Sequence, residues 1–318
     1  MIPLMLRIIG SGFFVGLVSI HLVLGVPALS LAGTVGLILP KDCAFSADVK
    51  EKVASQLGSS GIKDTEVLMQ RPGADKVSRL NSMRKFLAYG ADVIVIWGGT
   101  SIKEIAGEAG KTPIVFVGVW DPVQSGIVTS LKKPGKNITG VMGKTSTAFL
   151  LDNIVESTGS KLLGVLYHSG FVDSKAQYDD MRALAPGKGL DLLEIDLHAT
   201  SEEEVPAALG PAEFLYLAQG CDVEGGVYEA LANLDKPAAT QNPGVSGGGV
   251  IFTLAPDMEE TIKVVSDITG RILKGEKPGD IPVSRIRKIS FTINMGEARR
   301  LGVKIPFGVL NRGTEVIR

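Results

Sequence analysis

The residues of this chain best suited to ligand chemistry follow an apolar segment that predicts a buried strand over residues 114–119. Trp120, Asp121 and Pro122 come directly after it, before a polar turn and a second apolar strand. In an open parallel sheet, ligands bind beyond the carboxyl ends of the strands. Trp120 offers a flat ring for stacking, and Asp121 offers a carboxylate for an ammonium group, although it can equally fix the turn before Pro122. This segment therefore predicts one wall of a small-molecule cleft.

Other predicted strand ends add polar and aromatic residues to the same cleft. Helix N-termini expose backbone N–H groups that suit carboxylates, and Thr100, Ser101, Thr145 and Ser174 lie at such positions. Helix capping is the favoured role of Ser101, and Trp97 is as well suited to core packing as to ligand stacking. The complete set of predicted ligand contacts is Cys43, Phe45, Ser46, Gly99, Thr100, Ser101, Trp120, Asp121, Thr145, His168, Asp173, Ser174, Gln219 and Asp222.

Signatures of catalysis are nearly absent from the sequence. It contains no Gly-x-Ser-x-Gly elbow and no His-Glu-x-x-His motif. Of the three histidines, His21 lies in a predicted export signal, and His168 follows a predicted strand as either a hydrogen-bonding wall residue or a general base. If the protein were an enzyme, His168 with Asp173 would be the one titratable pair available for catalysis. The sequence therefore predicts a binding protein with no catalytic residues and no cofactor.

The two cysteines, Cys43 and Cys221, follow predicted strand ends, as does His168. A Cys2His metal site and a disulfide across the cleft are the two alternatives to independent thiols. No local ligand spacing supports the metal site, and a disulfide would lock a cleft that has to open. The sequence therefore predicts two separate thiols and no metal.

Composition and charge limit the domain number and the binding partners that the protein can have. The chain has 318 residues, of which 45% are hydrophobic, and a formal net charge of -1. That length is enough for two domains of ordinary size. A nucleic-acid-binding protein usually carries a basic patch, but no basic run here exceeds two residues. The sequence therefore predicts no nucleic-acid partner.

The N-terminal segment predicts export. Arg7 is the only charge before Lys41, an apolar run follows it, and small residues lie at Ser30 and Ala32, where signal peptidase reads. We predict a signal peptide over residues 1–32, cut after Ala32. The uncharged stretch is also long enough to span a bilayer, so an uncleaved anchor is the alternative.

Two alternating series of strands and helices follow the signal. Strands are predicted at residues 34–39, 66–69, 93–97 and 114–119, and then at 162–167, 192–197, 214–217, 250–253 and 290–294. Repeated strand–helix units imply parallel sheets. The predicted fold is α/β with two Rossmann-like lobes. Residues 33–145 form the N-terminal lobe, 146–255 form the C-terminal lobe, and 256–318 complete both lobes and the hinge.

Apolar spacing and capping patterns predict the helices in more detail. A helix over residues 74–89 is predicted to turn Val77, Leu80 and Leu87 inward, and another is predicted over residues 223–234. Capping patterns predict four further helix starts: Ser101 with Glu104, Ser174 with Gln177, Ser201 with Glu204, and Asp257 with Glu260.

Several sequence motifs form a set that covers nearly the whole mature chain. They are PIVF at 113–116 with DPV at 121–123, KPGKNITGV at 133–141, ILKGEKPGDIPV at 272–283, and IN at 293–294 with ARRLGVKIP at 298–306. With these motifs, the chain resembles the ABC-transporter substrate-binding proteins, in the branch that contains tryptophan- and tyrosine-binding members.

The resemblance implies a type I periplasmic-binding architecture, in which two lobes joined by three crossings close on a small ligand. It also implies an extracytoplasmic location and a membrane ABC permease as partner, with the ATPase on another chain. An aromatic or other amphipathic carboxylate is the implied ligand class, with Trp120 and Phe45 holding its apolar part. A ligand-sensing module that presents its closed state to a membrane receptor or kinase is the alternative function.

The chain departs from the family around the predicted cleft. Trp120 replaces a residue that is usually small, the loop 167–173 lacks the usual Asn-Pro, and residues 253–256 lack a common Tyr. These differences mean that no relative's ligand can be copied onto this chain from the resemblance.

Overall fold

Two β-sheets built mainly from parallel strands organise the chain. The computed structural model describes residues 33–41, 48–218, 235–245 and 247–318. Several predictions lie outside these described residues: the signal segment 1–32, the helix over 223–234, and Cys43, Phe45, Ser46, Gln219, Cys221 and Asp222.

The first sheet is parallel throughout its described strands. Its strands are β1 (Thr34–Ile38), β2 (Glu66–Gln70), β3 (Val93–Trp97), β4 (Ile114–Val119), β5 (Ile138–Met142) and β11 (Ser284–Arg285). They lie in the order β11-β5-β4-β3-β1-β2. The helices α1 (Val49–Ser59), α2 (Lys76–Tyr89) and α3 (Gly99–Ile105), with a 3-10 turn at Ala106–Ala109, connect them. β2 lies on one side of β1 and β3 lies on the other, so successive strands are added in opposite directions from β1. Open α/β sheets bind ligands beside such a switch point.

The second sheet repeats this arrangement. Its strands are β6 (Leu162–Tyr167), β7 (Asp191–Asp196), β8 (Phe214–Leu217), β9 (Ala238–Thr240), β10 (Val250–Pro256), β12 (Ile289–Asn294) and β13 (Glu315–Ile317). They lie in the order β13-β12-β10-β9-β8-β6-β7, and among them the pair β10 and β12 is antiparallel. The remaining helices are α4 (Thr147–Thr158), α5 (Val172–Leu184), α6 (Val205–Ala208), α7 (Met258–Leu273), α8 (Met295–Arg300) and α9 (Phe307–Arg312), with 3-10 turns at Pro186–Lys188 and Pro278–Asp280. No helix in the described ranges is long and apolar enough to cross a membrane.

Strand β3 shows why the strands could be predicted. All five of its residues are buried. Val93 and Val95 pack in one hydrophobic cluster, whereas Ile94 and Ile96 pack in another on the opposite face. A strand covered on both faces needs an unbroken apolar sequence, and that is the pattern from which this strand was predicted.

The chain passes between the two sheets at three places within the described residues. The first lies between β5 and α4, the second between β10 and α7, and the third between β11 and β12. The second and third are tied together: Asp257 and Lys288 form a salt bridge of 2.8 Å, and Glu260 Oε2 accepts a hydrogen bond of 2.7 Å from Lys288 N. Burial acts to raise the pKa of Asp257, but hydrogen bonds from Lys288 and Glu260 outweigh it and the pKa is lowered.

Helix α7 begins as its capping pattern predicts. The Asp257 side chain accepts a hydrogen bond from Glu260 N, 2.9 Å away. Ile262, Val265, Ile268 and Ile272 form its buried stripe and pack against β1, α1 and β3 in the first core. This spacing of three or four residues places the four side chains on one face of the helix.

Two other helix predictions are wrong in part. On α2, Leu80 and Leu87 are partly buried against the core, as predicted, but Val77 is 65% exposed. The fully buried side chains of α2 are Arg79, Ser82, Met83 and Phe86. Arg79 Nε donates to Glu104 Oε2, 2.7 Å away on the neighbouring α3. That ion pair uses the Glu104 side chain predicted to form a capping box, and α3 begins at Gly99 instead.

We predict that Ile268→Ala lowers the free energy of unfolding by about 2–5 kcal/mol, because the side chain is 2% exposed and its removal leaves a cavity. Val77→Ala is the matched control on an exposed helix position, with an expected change within about 0.5 kcal/mol. Denaturant unfolding measures both. Equal effects of the two substitutions would contradict the assigned faces of α2 and α7.

Candidate functional site

A cavity lies between the two sheets, at the carboxyl ends of their strands. Its walls come from the ends of β3, β4 and β5 on one side, and from α5 and the segments that follow β9 and β10 on the other. The space not filled by atoms is ≈ 580 Å³, part of it open to solvent. Open α/β sheets bind small molecules beyond the carboxyl ends of their strands, so this cavity is the candidate binding site.

Both tryptophans of the chain line this cavity. Trp97 ends β3 and Trp120 follows β4, and each is 2% exposed. The Trp120 indole N–H donates to Asp180 Oδ2 at 2.8 Å, and Lys144 Nζ lies 2.6 Å from the same carboxylate. Lys144 also lies 5.9 Å from the centre of the Trp120 ring, within the range of a cation–π contact. The ring of Trp120 is therefore held in one orientation by Asp180.

Asp173 on α5 bridges the cleft to the opposite lobe. Its Oδ2 accepts a hydrogen bond of 2.6 Å from Gly99 N, and its Oδ1 accepts one of 2.8 Å from Trp120 N. Beside it, Val172 N donates to Thr100 Oγ1 at 2.9 Å. Asp173 is 3% exposed, and hydrogen bonds to a buried carboxylate are among the stronger ones in proteins. These contacts hold the two sides of the cleft together.

The turn before α3 makes this approach possible. Gly98 has a φ of 88°, a left-handed conformation that glycine adopts without strain. Gly99 has no side chain, and a Cβ there would lie 2.7 Å from Asp173 Oδ1 and 3.0 Å from Val172 Cγ1. The backbone N–H at the start of α3 is therefore accessible to a carboxylate from the other lobe because two glycines stand there.

A network of buried polar side chains forms the second-lobe wall. The Tyr216 hydroxyl lies 3.0 Å from Gln177 Oε1 and 2.7 Å from Gln241 Oε1. Gln241 Nε2 donates to Thr145 Oγ1 at 2.7 Å, and Thr145 in turn donates to Leu254 O at 3.2 Å. Thr145 lies at the first crossing and Leu254 shortly before the second. The network therefore joins one wall of the cavity to the segments that cross between the two sheets.

The predicted site residues divide into three groups in the structure. Gly99, Thr100, Trp120 and Asp173 meet across the cleft, and Thr145 joins the polar network behind it. Ser101 is fully buried inside α3. Of the predicted residues that the structure describes, Trp120 and Asp173 line the cavity, whereas Gly99, Thr100, Ser101, Asp121, Thr145, His168 and Ser174 lie outside its lining. The residues that line it are Trp97, Gly98, Val117, Gly118, Trp120, Met142, Gly143, Asp173, Gln177, Gln241, Asn242, Pro243, Pro256, Met258 and Thr261.

Asp121 and Ser174 stabilise local structure instead. Asp121 Oδ1 accepts hydrogen bonds from Val123 N at 3.1 Å and Gln124 N at 2.9 Å, so it fixes the turn after β4. Ser174 lies within α5, which begins two residues earlier, and therefore does not cap it. Its Oγ accepts from His168 N at 2.8 Å and donates to Ala218 O, which joins the ends of β6 and β8.

Gln177, Gln241 and Asn242 line the cavity and were not predicted to do so. A signal for each was present in the sequence. Gln241 and Asn242 directly follow β9, so the strand-end argument applied to Trp120 applies to them as well. Gln177 lies four residues after Asp173 on α5, and positions so spaced share one face of a helix.

The His168 side chain packs beside its own lobe. Its ring centroid lies 5.1 Å from that of His198 and 4.2 Å from that of Phe171. Its Nδ1 accepts a hydrogen bond of 3.1 Å from Gly170 N. Burial lowers the pKa of His168 below its ordinary value, the nearby His198 lowers it further, and Asp196 acts in the opposite direction.

This pKa shift predicts a stability change with pH. Because the pKa of His168 is lower in the folded state, the unfolded chain takes up a proton first as the pH falls below about 6.5. The associated stability is present above that value and decreases toward the folded-state pKa. Melting temperatures measured between about pH 7 and about pH 5 should decline less steeply in His168→Gln, which cannot titrate. Parallel declines in the two proteins would show that His168 does not contribute.

A second prediction concerns closure of the cleft. Gly99→Ala places a methyl group against Asp173 and Val172 on the opposite lobe, so it should separate them. The backbone amide hydrogens at position 99 and at Trp120 should then exchange with deuterium at least about tenfold faster, as expected when a charge-assisted hydrogen bond is lost.

Gly107→Ala is the matched control for Gly99→Ala, since a Cβ at Gly107 meets nothing within 4 Å. Its exchange at Trp120 should match that of the unmodified protein. Unchanged exchange in Gly99→Ala would show that the Asp173 contacts do not hold the cleft closed.

Known structures share this two-lobe architecture. A Streptococcus pneumonia ABC domain in complex with L-Trp is 21% identical, with a TM-score of 0.81, 90% of this chain covered and 100% of that chain. A ligand-free, open substrate binding protein with adhesive properties from Clostridium difficile is 23% identical, with a TM-score of 0.66 and coverages of 90% and 99%. The fold is thus that of the type I periplasmic-binding proteins, as predicted.

Sequence comparison identifies the family. The profile of the family described as "ABC transporter substrate binding protein" matches residues 48–317. The "Tyrosine-binding protein" of Clostridioides difficile (strain R20291) is 24% identical over 264 residues, which cover 80% of this chain and 76% of that protein. The chain belongs to the ABC transporter substrate-binding protein family, and the resemblance seen in its motifs is confirmed.

Proposed function

We propose that this protein captures a small organic ligand between its two lobes and delivers it to an ABC import permease. The observation that carries the proposal is the contact of Asp173, from one lobe, with the N–H groups of Gly99 and Trp120 from the other, beside the cavity. A cleft closed by a few hydrogen bonds can open to admit a ligand and close over it. The closed form is then the form that a permease recognises.

The lining supports a ligand with an apolar, planar body. Trp97, Trp120, Met142 and Met258 supply most of the apolar wall, and aromatic rings stack well on flat ligands. The relatives named above include a tyrosine-binding protein and an L-Trp complex, which makes an aromatic solute the first class to test. Micromolar binding needs about 8 kcal/mol, which a few such contacts in a nearly dry cleft can supply.

The proposed site of action is outside the cytoplasmic membrane. The support is the export signal predicted over residues 1–32 and the family assignment. We propose cleavage after Ala32, which N-terminal sequencing of the secreted protein tests directly. An N-terminus that retains residues 1–32 would indicate the anchored alternative.

A thermal-shift screen of the purified protein against amino acids, aromatic amines, nucleosides, sugars and carboxylic acids tests the binding function. A ligand at 100 times its Kd stabilises the folded state by about 2.7 kcal/mol, so the melting temperature should rise by roughly 5 °C or more. The absence of any shift across the panel would count against capture of a solute of these classes.

Trp120→Ala should weaken binding of the identified ligand at least about tenfold, because it removes the apolar wall that Asp180 holds in place. Phe307→Ala is the control, since Phe307 is 75% exposed and is not part of the cavity lining. Isothermal titration measures both affinities. An unchanged affinity in Trp120→Ala would remove the stacking role from the proposal.

A further inference from the structure

The only charge in the described lining of the cavity is negative. Among the described residues that line it, Asp173 is the one with an ionisable side chain, and none is a lysine, arginine or histidine. Both carboxylate oxygens of Asp173 accept backbone N–H groups, the arrangement expected of the charged form. The described lining is therefore negative or neutral throughout.

Two chain segments outside the described residues have no basic residue. Residues 42–47 and 219–234, which follow β1 and β8 in the chain, contain no lysine, arginine or histidine. Their carboxylic acids are Asp42, Asp222, Glu224 and Glu229.

A described lysine beside the Trp120 ring is already paired with a carboxylate. Lys144 lies beside the Trp120 ring, but its Nζ is 2.6 Å from Asp180, and Lys144 is outside the cavity lining. The backbone N–H of Gly99 at the start of α3, a predicted partner for a ligand's carboxylate, donates to Asp173 instead. A ligand carboxylate entering this cavity would thus approach an existing carboxylate with no basic side chain to balance it.

We infer that the cleft selects an apolar or aromatic amine without a free carboxylate group. The protonated nitrogen lies on the Asp173 side of the cavity, where the negative charge of the carboxylate attracts it. The flat part of the ligand lies against Trp97 and Trp120, whose ring faces also attract a cation. This inference rests on the proposed solute-binding function and names its ligand class.

Matched probes separate the effect of ligand charge from that of ligand shape. Isothermal titration of the full protein would compare tryptamine, L-tryptophan and indole-3-propionate, and in parallel tyramine, L-tyrosine and 3-(4-hydroxyphenyl)propionate. The amine of each series should bind at least about tenfold more tightly than the carboxylate, the effect of one unit charge in a partly desolvated site. The amino acids should fall between them.

Asp173→Asn tests the origin of this selectivity. It weakens cleft closure for every probe, but the ratio of carboxylate Kd to amine Kd should fall toward one only if the Asp173 charge sets the preference. Asp152→Asn is the control, because it removes one negative charge from an exposed position paired with Lys188 on the second lobe. That variant should retain the ratio of the unmodified protein.

The outcomes distinguish this inference from the function on which it rests. Carboxylates or amino acids that bind as tightly as the amines, or a ratio unchanged in Asp173→Asn, would overturn the inference and leave solute binding intact. Failure of every amine to bind would also overturn it, whereas the function would fall only if the broader solute screen gave no ligand.

Discussion

The structure depends on one carboxylate placed across a cleft. Asp173 belongs to the second lobe by sequence and packing, yet both of its oxygens accept hydrogen bonds from the backbone of the first lobe. Each lobe has its own hydrophobic cores, so folding of either does not require this contact. Asp173 instead determines how the finished lobes sit against each other. Two glycines at the start of α3 allow that approach, and Trp120 is positioned by the same contact.

The fold places the rest of the site around this contact. Parallel sheets bring many strand ends to one edge, and here the edges of two sheets form opposite walls of one cavity. The apolar wall comes mainly from the first sheet and the amide wall from the second. The amide wall continues through Gln241 and Thr145 to the first crossing segment. The cavity wall and the first crossing segment are therefore linked through a short chain of buried hydrogen bonds.

The sequence predicts the sheets well because their evidence is local. Strand β3 is apolar on both faces. The cap of α7, from Asp257 to Glu260, and the spacing of its apolar residues likewise involve positions only a few residues apart. Predictions were wrong in part where a distant residue is involved: Glu104, predicted to form a capping box, pairs with Arg79 on another helix. The partners of Asp173 are likewise invisible in sequence, since they lie 74 and 53 positions away in the chain. The cleft could be located from strand ends, but the contact that closes it could not.

The placement of the two tryptophans has a practical consequence. Because the chain has no other tryptophan, and Trp97 and Trp120 both line the cavity, its intrinsic indole fluorescence originates entirely from the walls of that cavity. Any change in the cavity, including the proposed entry of a ligand, would therefore act on the whole emission signal instead of a small part of it. Single-tryptophan versions would report separately from the end of β3 and from the loop after β4.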